Sequence, residues 1–201
     1  MAKIELQNIA HSYDPQAADK TYALNPFNMT WVDGGRYAIL GPSGCGKTTM
    51  LNIMSGIVQP SEGKLLFDGV DVTTLSTSER NIAQVFQFPV IYGTMTVEQN
   101  LAFPLVCRNY EKPAIDAKVQ EVAEALSLQG FLKKSASRLT ADQKQLISLG
   151  RGLVRDDGAA VLMDEPLTVI DPDLKFRLRR QLKEINQKYR STLIYVTHDQ
   201  N

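Results

Sequence analysis

Cysteine, histidine and tryptophan are scarce in this chain of 201 residues, with two, two and one of each. Cys45 and Cys107 lie outside any Cys-x-x-Cys or Cys/His cluster, which excludes a disulfide framework and a structural zinc site and fits a reducing, cytosolic compartment. An excess of either charge is also lacking. The 22 basic and 22 acidic side chains cancel, so nothing draws the chain non-specifically to a nucleic-acid backbone, and any anion it binds must be held locally. No apolar run approaches the ~20 residues of a membrane-spanning helix. Work at a membrane would require docking onto something that crosses it. The opening, Met1 to Leu6, alternates polar and apolar residues like a strand and has no signal-like apolar core.

What is present is enough apolar content, 43%, for a substantial core. Short strands are predicted over Lys3 to Ile9, Phe27 to Val32 and Tyr37 to Leu40, then a helix over Lys47 to Ser55 closed by Gly56. A hairpin over Lys64 to Phe67 turns at Asp68-Gly69, and a strand follows over Ile82 to Phe86. From about Gln87 to Gly130 the pattern reads as helical, with Ile115, Val119, Val122 and Leu126 lining one face. This stretch is the candidate inserted subdomain. Asp142 to Val154 reads as a helix, Ala159 to Met163 as a strand buried on both faces, Asp173 to Lys188 as a helix and Thr192 to Val196 as a strand. Such alternation implies a mostly parallel sheet.

Gly41-Pro42-Ser43-Gly44-Cys45-Gly46-Lys47-Thr48 fits G-x-x-x-x-G-K-[ST] and lies between a predicted strand and a helix, as that motif requires. Its glycines let main-chain N–H groups close around phosphate oxygens, and the helix N-terminus adds a favourable dipole. Lys47 neutralises β/γ charge and Thr48 can ligate Mg²⁺. Thr49 is expected to reach the α-phosphate, and Cys45 reads as a small filler. Kinases, GTPases and ATPases all use such a loop, so a second, acidic element must discriminate. Asp164 ends a buried strand, where its carboxylate can hold Mg²⁺ through water. Glu165, the next residue, faces the other side of the chain, from which it can polarise a water for in-line attack on a γ-phosphate.

With these residues in this order the chain resembles an ATP-binding cassette domain over nearly its whole length. The resemblance implies an α/β, P-loop NTPase fold with a mostly parallel sheet, an N-terminal antiparallel β-subdomain and an inserted helical subdomain. Residues 1–86 and 156–201 would form the core and 87–155 the helical part. It also implies ATP and Mg²⁺ as ligands. Gln87 resembles the glutamine that senses Mg²⁺ and the attacking water beside the docking groove for a membrane subunit. Tyr13 resembles the aromatic residue that stacks on adenine, with Tyr22 a second candidate. Asp171 resembles the aspartate that reaches across a dimer, and His198 the switch histidine that contacts the γ-phosphate.

Leu139-Thr140-Ala141-Asp142-Gln143 occupies the place of the family signature, usually Leu-Ser-Gly-Gly-Gln, and departs from it at three of five positions. In the family this segment starts a helix that contacts ATP held by an opposite subunit, so that two sites form in a head-to-tail dimer. Thr140 and Gln143 form an S/T-x-x-E/Q capping box, which predicts that the helix start survives. Ala141 and Asp142 replace glycines that permit close approach, and Asp142 carries negative charge towards a polyanion. An asymmetric pair with a different ATPase chain is therefore expected, the rival being a homodimer with two impaired sites.

The segments Arg80 to Gln87 and Thr96 to Leu101 resemble the ATPases of bacterial carbohydrate and polyol importers. Leu139 to Asp142 with Ile147 to Leu153 most resemble those of glycerol uptake systems. The resemblance implies integral-membrane permease subunits as partners, a periplasmic solute-binding protein indirectly, and a peripheral place on the cytoplasmic side of the bacterial inner membrane. It further implies that strands and helices follow Asn201. Two other classes compete. A soluble, non-transport cassette ATPase would carry long coiled-coil insertions or basic stretches, which are not found. A nucleotide-binding regulatory subunit with little hydrolysis is permitted by the altered signature and opposed by Glu165.

Overall fold

The structure is a computed structural model and describes residues 2–16, 20–155, 157–168, 170–173, 175–176, 178–180 and 192–197. These fall into two compact units. The first comprises residues 1–84, 157–164 and 191–201, the second residues 85–156 and 165–190. The boundary passes between Asp164 and Glu165, so the segment after the acidic pair clusters with the helical unit and not with the strand before it.

Two four-stranded sheets are found among the described residues. In the first, β2 (Leu24–Trp31), β1 (Ile4–His11), β4 (Glu62–Phe67) and β5 (Val70–Asp71) lie in that order, and β1 pairs antiparallel with both neighbours. In the second the order is β3 (Arg36–Leu40), β8 (Leu193–Thr197), β7 (Ala160–Asp164) and β6 (Ile82–Val85), with β8 parallel to β3 and to β7. Helix α1 (Lys47–Ser55) lies in the core that both sheets share. Its Leu51, Ile53 and Met54 are fully buried among Ile4 and Leu6 of one sheet and Leu162, Ile194 and Val196 of the other. Seven of the nine residues of α1 are buried, and each of these apolar side chains contributes about 1.5–3 kcal/mol by leaving water.

The end of α1 is fastened by an arginine. Helix α2 (Thr77–Arg80) begins in a Ser76/Glu79 capping box and delivers Arg80 into the interior, 2% exposed. Its guanidinium donates to the carbonyls of Ile53, Met54 (3.3 Å), Thr73 (2.6 Å) and Leu75 (3.0 Å). Two of these belong to the last turn of α1, where helix carbonyls lack partners and a cation is favoured. Burial lowers the Arg80 pKa, and the four acceptors offset that desolvation.

In the second unit, α3 (Val97–Val106), α4 (Lys112–Ala125) and α5 (Ala141–Leu153) pack on one another. The stripe read from the sequence is the buried face of α4: Ile115, Val119, Val122 and the capping Leu126 are all under a tenth exposed. Gly150 of α5 lets the helices approach closely, since a Cβ there would lie 2.5 Å from Leu101 and 3.1 Å from Leu126. The expectation of continuous helix from Gln87 is corrected over residues 87–96, which form no helix. Pro89 and Gly93 interrupt the pattern. In addition, the buried Asn100 amide accepts from the Tyr92 N–H (2.8 Å) and donates to the Tyr92 carbonyl (3.0 Å), satisfying a non-helical backbone from the side. Residues 172–173, 175–176 and 178–180 are helical, and the expected continuation to Lys188 lies outside the described residues. Among the described residues no helix is long and apolar enough to cross a membrane.

Removing the Arg80 guanidinium would leave the α1 carbonyls unmet in the core. Arg80→Ala is expected to cost about 2–4 kcal/mol of folding stability. Arg80→Lys, which lacks the planar fork, should recover only part of it. Urea unfolding followed through Trp31 fluorescence checks both.

Candidate functional site

The register of the second sheet decides where the motif residues emerge. Leu40, the last residue of β3, pairs with Thr197 of β8, and Asp164, the last residue of β7, pairs with Val196. The loop that opens at Gly41 and the Asp164 carboxylate thus leave the carboxyl ends of parallel strands on either side of β8, about 10 Å apart. Open α/β sheets bind ligands at this edge. Helix α1 packs on β7, which brings the helix beginning at Lys47 against the strand ending at Asp164.

Within the loop, Gly46 adopts a left-handed conformation (φ 91°) as the N-cap of α1. A Cβ there would lie 2.6 Å from the Ala23 carbonyl oxygen, so both backbone and surroundings demand glycine. A Cβ on Gly41 would fall 2.8 Å from the Cys45 sulfur. The loop therefore has no room for a side chain at Gly41 or Gly46, and it closes on the Lys47 ammonium and the Cys45 sulfur. Glycine at such points lets main-chain N–H groups come close to a polyphosphate. Lys47 is 9% exposed, and its ammonium donates to the carbonyls of Gly41 and Pro42, both at 2.7 Å, with the Cys45 sulfur at 3.7 Å. Ser43, Gly44 and Thr48 are exposed on the loop, while Thr49 is buried.

Tyr13 connects to this loop directly. Its hydroxyl lies 3.1 Å from the Thr49 hydroxyl, and its ring is 68% exposed, open for stacking. The edge of the ring meets His11 at 4.6 Å and 89°, and His11 is itself buried, with Nδ1 at 3.3 Å from the Ser61 hydroxyl. Tyr22 is engaged elsewhere. Its hydroxyl donates to Glu62 (2.8 Å) and Lys20 lies over its ring at 4.5 Å. Lys20 first and Tyr22 second hold the Glu62 carboxyl below its ordinary range.

In the second unit, Gln87 is half-buried, two residues past the end of β6. Glu165 adopts a left-handed φ of 46°, a conformation disfavoured for a residue bearing Cβ. The Thr168 hydroxyl donates to its carboxylate at 3.3 Å and the Thr168 N–H to its carbonyl at 3.2 Å. The signature segment starts α5 as a reciprocal cap. Gln143 N–H donates to the Thr140 hydroxyl oxygen (3.3 Å), and Thr140 N–H donates to the Gln143 side chain (3.2 Å). The N–H groups of Ala141 and Asp142 lie in the first turn, where the helix supplies no acceptors, and the Thr140 hydroxyl keeps its proton for another acceptor. Asp171 accepts from the Asp173 N–H at 3.0 Å, and its carbonyl from Lys175 N–H at 2.8 Å, so it caps the following helix. His198 lies outside the described residues.

One buried residue was not singled out by the motifs. Gln145, fully buried in α5, donates to the carbonyls of Phe86 (3.0 Å) and Pro166 (2.8 Å). Its spacing from Leu149 and Gly152, four and seven residues on, was the available signal for an inward-facing position.

The sequence profile described as ABC transporter matches residues 24–168. The chain is 40% identical over 200 residues to the Escherichia coli K12 ABC transporter ATP-binding protein YcjV, covering all of this chain and 54% of that protein. It is 37% identical over 200 residues to the E. coli K12 sn-glycerol-3-phosphate import ATP-binding protein UgpC, covering 55% of it. The chain thus spans about half the length of the curated relatives it matches. Among solved structures it is similar to the dimeric post-hydrolysis state of the ATP-binding cassette MJ0796 bound to ADP and Pi, with TM-score 0.85 and 26% identity over 98% of this chain and 88% of that one. It is also similar to cbiO1 from Clostridium perfringens, part of the ABC transporter complex cbiONQ, with TM-score 0.83 and 26% identity over 98% of this chain and 78% of that one. A phosphate-loop helix seated between an antiparallel and a parallel sheet, a helical second unit and end-to-end similarity to ATP-binding proteins agree: the chain belongs to the ABC transporter family, as an ATP-binding cassette of the P-loop NTPase fold.

Proposed function

We propose that the chain binds and hydrolyses MgATP as the ATPase part of a bacterial importer, docked on integral-membrane permease subunits at the cytoplasmic face of the inner membrane. The observation that carries this reading is the loop leading into Lys47 at the carboxyl edge of the parallel sheet, in which Gly41 and Gly46 leave no space for a Cβ, with Asp164 two strands away. In this reading Gly41 to Thr49 hold the phosphates by main-chain N–H groups and the Lys47 ammonium. Tyr13 stacks on adenine, an offset contact worth about 1 kcal/mol. Thr48 and Asp164, with Gln87, would hold Mg²⁺, which when bound neutralises charge on the β- and γ-phosphate oxygens. Glu165 draws a proton from the attacking water, whose oxygen bonds the γ-phosphorus as ADP leaves. Gln87 and His198 sense the γ-phosphate, and Asp171 reaches a second ATPase subunit.

The altered signature supports a pair of unlike ATPase chains. An Asp142 carboxylate ~5 Å from a phosphate, at an effective dielectric near 20, opposes binding by on the order of 3 kcal/mol before salt screening. A cassette whose own Lys47, Asp164 and Glu165 are intact would then serve best opposite a chain with a glycine-bearing signature. The name of the import protein UgpC, at 37% identity, supports a carbohydrate or polyol such as glycerol as the cargo, with a periplasmic solute-binding protein delivering it. Asp142 also favours a second reading, a regulatory subunit that binds nucleotide and barely turns it over.

Three measurements on the full-length protein test these assignments. Lys47→Ala should weaken MgATP binding by about 1.5–3 kcal/mol, read by calorimetry, and unchanged affinity would refute the cradle. Glu165→Gln should retain binding and lose about 10²–10⁴-fold in turnover, whereas equal turnover in variant and parent selects the regulatory reading. Ala141→Gly with Asp142→Gly should raise ATPase activity roughly three- to tenfold, and no gain with either a like or an unlike partner would remove the case for asymmetry.

A further inference from the structure

We infer that Gln145 is a positioning residue for hydrolysis: its single side-chain amide ties the main chain beside Gln87 and the main chain beside Glu165 to the helix that begins at Thr140. The inference rests on the roles given above to Gln87 and Glu165. All four residues belong to the second unit.

Gln145 is 0% exposed, and its Nε2 donates to the Phe86 carbonyl, immediately before Gln87, and to the Pro166 carbonyl, immediately after Glu165. A planar amide carries its two N–H groups in a fixed fork, so neither segment can shift without the other or without breaking a bond. Pro166 has no N–H, which leaves its carbonyl as the only main-chain group by which that peptide can be held. What it holds is strained. Glu165 sits at φ 46°, and such a conformation persists only where neighbouring bonds enforce it. The bond to the Pro166 carbonyl and the two bonds from Thr168 supply that enforcement.

The amide is also retained against a cost. Gln145 Oε1 is buried and finds no hydrogen-bond partner among the described residues, a penalty that leucine or methionine of similar volume would avoid. A position that needed only filling would not require an unmatched acceptor. Gln145 lies little more than one turn past the Thr140–Gln143 cap, on the same rigid helix. A displacement of the signature turn therefore reaches Gln87 and Glu165 together through one side chain.

The test uses Gln145→Leu and Gln145→Glu in the full-length protein. The first removes both donors with little change in volume, the second keeps the shape while removing the donors. If the glutamate variant fails to fold, Gln145→Met replaces it. ATP affinity, measured with Mg²⁺ chelated to stop turnover, should stay within about twofold of the parent, while kcat falls about 10–100-fold, the scale of loss for a misplaced catalytic group. In a Glu165→Gln background Gln145→Leu should cause little further loss in the residual rate, because a residue acting through Glu165 is not additive with it. Full kcat in a folded variant, affinity falling in parallel with kcat, or additive losses in the double variant would each overturn the inference. A parent without hydrolysis overturns the functional reading and this inference together. A hydrolysing parent with unaffected variants overturns this inference alone.

Discussion

Gly46 sets the course of the phosphate loop in the first unit, because a Cβ there would lie 2.6 Å from the Ala23 carbonyl oxygen. The chain leaves β3, closes a loop around the Lys47 ammonium and enters α1, and it completes this turn only because Gly46 is left-handed and offers no Cβ to the strand entry at Ala23 and Leu24. The antiparallel sheet is thereby more than a lid on the core. Its β1–β2 connection supplies the wall against which the loop is set, and two residues past the end of β1 the Tyr13 hydroxyl meets that of Thr49. The helix that carries Lys47 is thus held at its start by the Gly46 turn and at its far end by Arg80.

A different principle orders the second unit, in which loops are held by side chains projecting from helices. Asn100 of α3 satisfies the backbone at Tyr92, and Gln145 of α5 satisfies the backbone at Phe86 and Pro166. Loops secured in this way carry few ladder hydrogen bonds and depend on individual amides, so small shifts of a helix alter them directly. The helix that follows the phosphate loop is, by contrast, set in the core that both sheets share. The left-handed Glu165 falls where the two arrangements meet along the chain.

The signature segment shows how a local rule can be kept while its chemistry changes. Thr140 and Gln143 preserve the cap, and α5 starts where the glycine-bearing form would start it. Asp142 in the first turn stabilises the helix through its dipole, and in doing so offsets the positive end that a phosphate would use.

The sequence by itself determined the phosphate loop, the acidic pair, the helix caps and the buried stripe of α4, because each is written in neighbouring residues whose spacing maps onto one turn, one strand or one helix face. The parallel sheet followed from the alternation of elements, since β-α-β connections leave little choice of hand or direction. Only the tertiary structure decided the non-helical path of residues 87–96, the selection of Tyr13 over Tyr22 as the ring beside Thr49, the insertion of Arg80 beneath α1 and the bridging by Gln145. Each of these depends on a polar side chain meeting a main-chain or hydroxyl group outside its own helix or turn. The pattern of residues reveals that such a group exists, but the partner it finds is settled only when the chain is packed.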